Sequence, residues 1–202
     1  MVGNRRIATT DTLRVLPGTF TYTQARRNGL SERRLYRLRD EGLIDSIGRG
    51  LYRRRDAADM ADIDLLEIAR RAPQAALCLT SALAQHDLTD EIPARIDVAL
   101  PRGRHRPATS APVTWHLFEP ATFDIGRVEL RLDDETSIGL YNPQRCIIDA
   151  IRLRHLEGSD LAYTALKRWL RRPGASPSEL LSMASSFPQS ERALRQALEI
   201  LL

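Results

Sequence analysis

The sequence predicts an α+β protein, in which a small N-terminal module precedes a mixed domain with a small, mostly antiparallel sheet and a helical C-terminal part. Three observations support this prediction. The length of 202 residues suits one small and one medium domain. Strand-like runs fall at residues 43–54 and 95–141, and helical patterns fill most of the remainder. The charge also divides between the two parts, because residues 1–55 are basic and residues 56–202 are mildly acidic.

The division of charge indicates the kind of partner that the N-terminal part binds. Residues 1–55 contain 13 arginines and five acidic residues, a net charge of +8, whereas residues 56–202 contain 17 basic and 21 acidic residues, a net charge of −4. A basic module joined to an acidic one is typical of a protein whose first part binds a polyanion. We therefore expect nucleic acid to be the partner of the N-terminal module.

The N-terminal module begins with predicted helices. A short opening helix is expected at residues 11–15. The next helix has Thr21 or Thr23 as its N-cap and ends at Gly29, and a further helix runs from Ser31 to about residue 41. Strand-like residues 43–47, a glycine turn at 48–50 and a return strand at 51–54 then form a hairpin.

The spacing within the two helices is that of a helix-turn-helix. Such a pair needs a small residue where the helices touch and a glycine at the turn, and here Ala25 and Gly29 occupy those places. Aliphatic residues lock the second helix in place: Leu30, Leu35 and Leu38. With the hairpin as a wing, the module is a predicted winged helix-turn-helix. The alternative is a helical hairpin whose arginines are merely solvated.

Charge on the second helix favours the first interpretation. Its outward face repeats arginine at positions 33, 34 and 37, with only Glu32 opposing them. Like charges three or four residues apart weaken an isolated helix, so a phosphate backbone or guanine edges are expected to neutralise them. Ser31, Arg33 and Arg37 are candidates for base contacts. Candidates for phosphate contacts are Thr23, Gln24, Arg27, Arg34 and Tyr36. Arg49 at the wing tip is a candidate for the minor groove, Arg53 for the DNA backbone, and Tyr52 for the core.

A polar, alanine-rich joint at residues 56–62 predicts two domains, residues 1–58 and 59–202. Beyond it, the patterns predict helices at 63–71 and 77–86. They then predict strands at 95–100, 113–118, 126–132 and 137–141, followed by helices at 143–156, 159–170, 176–184 and 190–202. The last group begins at Asn142-Pro143, a cap followed by a proline in the first turn.

The second domain offers few chemical groups with a catalytic pattern. Thr80-Ser81 near His86 is better explained as a helix cap than as a nucleophile with its base, and the acidic run 133–135 as a solvated turn rather than a metal site paired with Asp97. Cys78 and Cys146 are expected to be free, buried thiols. We expect no metal, no cofactor and no membrane span. The exposed basic loop between Pro101 and Pro107 is either solvated or a contact for a partner or a nucleic acid. Its candidate contact residues are Arg102, Arg104 and Arg106.

Two sets of motifs suggest a family. The N-terminal set is ARRNGLS at 25–31, LYRL at 35–38, EGLI at 41–44 and GRGLY at 48–52. The C-terminal set is CLTSAL at 78–83, LPRG at 100–103 and NPQRCIID at 142–149. In these motifs the chain resembles AbiEi-type antitoxins of toxin–antitoxin systems linked to abortive infection and phage defence.

The resemblance implies an antitoxin that represses its own operon by binding inverted repeats in double-stranded promoter DNA. It also implies that the protein counters a cognate nucleotidyltransferase toxin, with or without a stable complex, and that the C-terminal domain is needed for this task. We expect a cytoplasmic protein that is monomeric in solution and is not an enzyme. Two alternatives stay open: a transcription factor whose C-terminal domain senses a ligand, and an enzyme that modifies the toxin.

Overall fold

A computed structural model describes Leu13 and residues 15–56, 62–133 and 135–201. The described residues form two compact units. The first extends to Pro73 and also includes residues 107–111 and 131–137, while the second contains the remainder. Most of the predicted opening helix at residues 11–15 lies outside the described residues.

The first unit contains a three-stranded antiparallel sheet with helices between and after its strands. The central strand pairs with both others, so the order is β1-β3-β2. The elements are β1 (Thr19–Thr21), α1 (Tyr22–Arg27), α2 (Glu32–Asp40), β2 (Ile44–Gly48), β3 (Leu51–Arg54) and α3 (Ile63–Arg71). We predicted that α3 follows a domain boundary at residue 58, but it belongs to this compact unit. A functional division at residue 58 stays a prediction.

Two apolar clusters stabilise the first unit. The larger one joins α1 and α2 to the sheet, and burying each of its leucines contributes about 1.5–3 kcal/mol. Its members are Leu13, Leu16, Phe20, Ala25, Leu30, Leu35, Leu38, Ile44 and Tyr52. The smaller cluster joins the hairpin to α3 through Ile47, Leu51 and Leu66, with Leu132 packed against it. The hairpin is therefore packed on both of its faces.

The second unit contains a five-stranded sheet of order β6-β5-β4-β8-β7 and most of the helices. Its strands are β4 (Ala76–Leu77), β5 (Ile96–Pro101), β6 (Val113–Phe118), β7 (Arg127–Arg131) and β8 (Ser137–Tyr141), although the end residues Arg131 and Ser137 are grouped with the first unit. Its helices are α4 (Leu79–Gln85), α5 (Pro120–Phe123), α6 (Pro143–Arg152), α7 (Arg154–Glu157), α8 (Ser159–Leu170), α9 (Pro177–Ala184) and α10 (Pro188–Leu201). None of the described helices is long and apolar enough to cross a membrane.

The predicted α+β class is confirmed, with one correction to the second sheet. That sheet is mixed rather than mostly antiparallel, because β5 pairs with β6 and β4 pairs with β8 in parallel, and only β4 with β5 is antiparallel among the pairings resolved in register. A parallel pair needs a long connection. The proline-bounded segment 102–112 between β5 and β6 provides one, and a tight hairpin turn is not formed there.

Two further boundaries differ from the sequence-based expectation. Residues 77–78 do not begin a helix, because Ala76 and Leu77 form the short strand β4 between β5 and β8. The helix expected over residues 143–156 is interrupted at Leu153, which separates α6 from α7. The predicted cap at Asn142 is confirmed, since its side chain accepts a hydrogen bond from the backbone N–H of Arg145 at 2.9 Å.

A buried ion network lies in the core of the second unit. Arg145 and Asp149 are both completely buried, and the Arg145 Nε donates to Asp149 at 2.8 Å. The same guanidinium donates to the carbonyl oxygens of Thr122 and Ile125 at 2.6 and 2.7 Å, and it lies 4.3 Å from the ring centroid of Tyr141. These partners compensate for the cost of burying the charge.

Candidate nucleic-acid interface

The two helices of the N-terminal module are capped by the residues expected from the sequence. Thr21 accepts a hydrogen bond from the backbone N–H of Gln24 at 3.1 Å, and the Gln24 side chain accepts one from the backbone N–H of Thr21 at 2.8 Å. This is a capping box. Ser31 caps α2 by accepting from the backbone N–H of Arg34. Gly29, in the turn between the helices, has a φ of +82°, a conformation that glycine adopts without strain.

Helix α2 has one buried face and one basic face. Leu35 and Leu38 are buried in the larger cluster, whereas Arg33 and Arg37 project into solvent. Within the described part of the chain, neither of these two arginines forms an ion pair. A helix that exposes unneutralised guanidinium groups beside its capped N-terminus is suited to contact with phosphates and base edges.

Other charged groups on α2 are already satisfied within the helix. The Tyr36 hydroxyl donates to the Glu32 carboxylate at 3.0 Å, and this hydrogen bond raises the pKa of the Tyr36 phenol. Arg39 lies 5.1 Å from the Tyr36 ring centroid and forms an exposed ion pair with Asp40. The predicted phosphate contact of Tyr36 therefore requires a rearrangement, because the Tyr36 hydroxyl must first break its hydrogen bond to Glu32.

The preceding helix α1 contributes a second exposed basic edge. Thr23, Arg26 and Arg27 are exposed. Gln24 is half-buried, and its side-chain oxygen Oε1 accepts a hydrogen bond in the capping box. Only the side-chain amide nitrogen of Gln24 is therefore left for a contact with DNA. Arg26 was not among the predicted contacts, although its exposure and position beside Arg27 give it the same chemistry.

The hairpin has the features of a wing. Arg49 is exposed at its tip, between β2 and β3, and forms no ion pair with the residues that the structure describes. The carbonyl of Gly50 accepts from the backbone N–H of Tyr22 at 2.7 Å, which ties the tip to the start of α1. Arg53 is half-buried on β3 opposite Asp45. Tyr52 is a core residue, as predicted, and stacks on Phe20.

Two residues that support the wing were not identified from the sequence. Glu67 and Arg71 lie on α3 and contact the turn of the hairpin. One sequence feature indicates the first of them: a single carboxylate stands in the otherwise apolar run Leu-Leu-Glu-Ile-Ala at 65–69. A buried carboxylate in such a run requires specific donors, and Arg71 follows at the i+4 spacing of a helical ion pair.

The basic loop of the second unit is exposed from Arg102 to Arg106. Arg102 forms an ion pair with Glu119 at 3.3 Å, and its backbone N–H donates to the carbonyl of Phe118. Arg104 and Arg106 have no ion pair within the described residues. The loop is therefore presented to solvent, and its predicted role in a contact with a partner stays a prediction.

The residues weighed as catalytic candidates do not form a nucleophile and base. Ser81 accepts a hydrogen bond from the backbone N–H of Asp97 at 2.8 Å, and it does not cap α4. His86 instead contacts the carbonyl oxygen of Tyr141, and Asp97 pairs with His116 at 2.9 Å. Both cysteines are buried thiols outside any disulfide, as expected, and burial raises the pKa of the Cys146 thiol.

Comparisons with known proteins bear on the fold and on the family of the N-terminal region. A crystal structure of the RV2827C protein from Mycobacterium tuberculosis is similar to this chain, with a TM-score of 0.59 and 17% sequence identity, over 95% of this chain and 78% of that chain. At this identity the likeness shows the fold alone. No curated protein sequence matched the chain. A family model described as "Transcriptional regulator, AbiEi antitoxin" matches residues 13–55, which contain α1, α2 and the wing. Residues 13–55 of this chain thus match the AbiEi antitoxin family of transcriptional regulators, as the resemblance in residues 25–52 implied.

Proposed function

We propose that this chain is an antitoxin and a transcriptional autorepressor. It binds inverted repeats in the double-stranded promoter DNA of its own operon, and it counters a cognate nucleotidyltransferase toxin without catalysing a reaction. The observation that carries the proposal is the basic face of α2, where Arg33 and Arg37 stand exposed and unpaired within the described residues of a family-matched region.

In this proposal the two kinds of contact have different tasks. Helix α2 enters the major groove with Arg33 and Arg37 towards base edges, where a guanidinium matches the O6 and N7 acceptors of guanine. Arg27 on α1 contacts phosphate and fixes the register without reading sequence. Arg49 reaches the adjacent minor groove from the wing tip. Arg34, Arg53 and the exposed Thr23 complete the contacts with the DNA backbone.

The second unit has the separate task of countering the toxin. Its basic loop is the proposed contact, through Arg102, Arg104 and Arg106, whether or not a stable complex forms. The proposal is supported by the exposure of this loop and by the net negative charge of residues 56–202, which does not favour a second extensive DNA surface.

The DNA-binding half of the proposal is tested with the double variant Arg33→Ala/Arg37→Ala in the full chain. Both side chains are exposed, so the fold is expected to persist. Removing two base contacts should weaken binding to the promoter duplex about 30-fold or more, from about 1–3 kcal/mol for each contact. Fluorescence anisotropy at fixed salt, with a shuffled duplex as the competitor, measures the change.

A matched control removes the same charge elsewhere. Arg192 and Arg195 are exposed on α10, and their double alanine variant should retain promoter affinity. If both double variants lose affinity equally, net charge rather than α2 determines binding. If the wild-type chain prefers no promoter fragment over the shuffled duplex, the repressor function is wrong.

The antitoxin half is tested by growth of cells that express the toxin from an independent promoter, so that lost repression does not raise the toxin dose. The Arg33→Ala/Arg37→Ala chain should still protect these cells, whereas the triple alanine variant of the loop should protect them less and still bind DNA. Loss of protection in the α2 variant would show that neutralisation depends on DNA binding.

A further inference from the structure

A buried carboxylate lies behind the wing. Glu67 on α3 is 1% exposed, and its oxygens accept hydrogen bonds from the backbone N–H groups of Ser110 and Ala111 at 2.9–3.0 Å. Its Oε1 also accepts from the Arg71 Nε at 2.8 Å. Burial alone would raise the pKa of Glu67, but these backbone and guanidinium donors outweigh it and lower that pKa. The carboxylate is therefore charged and held from several directions at neutral pH.

The same pair of residues contacts the wing tip. Arg71, fixed by Glu67, donates from its terminal nitrogen to the backbone carbonyl of Arg49 at 3.2 Å. The Glu67 side chain occupies the space beside Gly48, where a Cβ would lie 2.8 Å from Oε1 and 3.0 Å from Cδ. The last residue of β2 and the first residue of the turn are thus set by two side chains of α3.

The donors to Glu67 come from a remote segment of the chain. Ser110 and Ala111 belong to residues 107–111, which form part of the same compact unit as the wing although more than fifty residues separate them from it. These residues lie outside the family-matched stretch 13–55. Removal of either backbone donor would leave the carboxylate partly unsatisfied in a buried place, which is costly.

We infer that Glu67 and Arg71 are positioning residues for DNA binding, which hold Arg49 at the wing tip in its DNA-contacting place and depend on residues 107–111 to do so. The inference rests on the proposed function for its effect on DNA affinity. Its structural part, the control of wing order by Glu67, is measurable without DNA. The DNA-binding unit is therefore discontinuous in sequence.

The first experiment is a double-mutant cycle between Glu67→Gln and Arg49→Ala in the full chain, with affinity for the promoter duplex as the readout. The Gln amide retains the size of the side chain but directs an N–H₂ donor towards backbone donors. Glu67→Gln alone should weaken binding about 3- to 10-fold, whereas in the Arg49→Ala background it should weaken binding less than about 2-fold. A residue with only a general structural role would have the same effect in both backgrounds.

The second experiment measures hydrogen exchange in the free protein. Glu67→Gln should accelerate exchange across residues 46–51 and leave α2 unchanged. Glu191→Gln is the matched control, because it also removes one carboxylate of an i,i+4 pair with arginine, at an exposed site on α10. This control should change neither wing exchange nor affinity.

A second variant guards against loss of the fold. Arg71→Lys keeps the charge, but one ammonium group cannot reproduce the two directed contacts of the guanidinium. It should follow the same pattern of affinity and exchange as Glu67→Gln. Unchanged wing exchange in both variants, or equal affinity losses with and without Arg49, would overturn the inference. Absence of DNA binding by the wild-type chain would instead overturn the proposed function, and the exchange result would still decide whether Glu67 orders the wing.

Discussion

The variant Asp149→Asn removes the negative charge from the buried network of the second unit. Asp149 is completely buried and accepts from Arg145 Nε at 2.8 Å and from an Arg152 terminal nitrogen at 2.9 Å. Burial raises the pKa of Asp149, and the two guanidinium groups oppose that effect. Since each carboxylate oxygen accepts from a different arginine, the bonded form at neutral pH is the charged one.

The expected loss in the free energy of unfolding is large because the Arg145 side chain is shielded from water. This side chain is 0% exposed, so replacing the carboxylate by a neutral amide leaves a buried cation with no anionic partner, only neutral oxygens and aromatic rings. Breaking one partner out of a buried pair costs about 3–5 kcal/mol. For a chain of this size that loss corresponds to a fall in Tm of about 6–20 °C.

The assay is thermal unfolding followed by circular dichroism at pH 7, with urea unfolding as a second measurement. Glu191→Gln again serves as the control, because it breaks an exposed i,i+4 pair that is worth about 0–1 kcal/mol. Equal and small changes in Tm for the two variants would refute the reasoning. They would mean that Asp149 is protonated in the folded protein and that Arg145 is satisfied by the carbonyl oxygens alone.

Three further outcomes are expected. The logarithm of promoter affinity should fall linearly with the logarithm of salt concentration, with a slope of about −4 to −5 if roughly 4–6 phosphates are neutralised; a flat response in a salt titration would contradict the electrostatic argument. Arg37→Ala should cost about 1–3 kcal/mol and relax base preference at one position, whereas Arg27→Ala should weaken binding to all duplexes alike, and a competition assay with single-base operator variants separates the two. The pKa of Glu67 is lowered in the folded state. Its contribution to stability is therefore complete above the pKa of the unfolded state, about 4.3, and is lost as pH falls through the pKa of the folded state. The difference in Tm between wild type and Glu67→Gln should accordingly shrink as the pH is lowered from about 5 to about 3.

The helix-turn-helix was predictable because each of its features depends on local sequence. Ala25, Gly29 and the leucines at 30, 35 and 38 occupy positions that the chemistry of two touching helices dictates, and four of the five are buried as that geometry requires. The capping residues Thr21 and Ser31 act within three positions of themselves. Patterns of this range are visible in a sequence without knowledge of the tertiary structure.

The second sheet was less predictable because its pairings are long-range. Strand β4 has only two residues, Ala76 and Leu77, and it forms a strand because β5 and β8 lie on either side. The alternation of apolar and polar residues predicts that β5 and β6 are strands, but it carries no information about their relative direction. The contacts of Glu67 with residues 110 and 111 were inaccessible for the same reason.

The two faces of the wing hairpin pack against residues from different parts of the chain. Ile44 and Tyr52 pack into the larger cluster, whose members all lie between Leu13 and Tyr52, so this face is supported within the family-matched stretch. Ile47 and Leu51 pack on the other face with Leu66 and Leu132, which come from beyond it. Neighbouring residues of a strand point to opposite faces, so one hairpin serves both clusters. The two buried leucines of helix α2 pack in the self-contained cluster, whereas the wing also packs against the later segments. Variants in those segments are therefore expected to alter the contribution of Arg49 to binding more than that of Arg33 or Arg37.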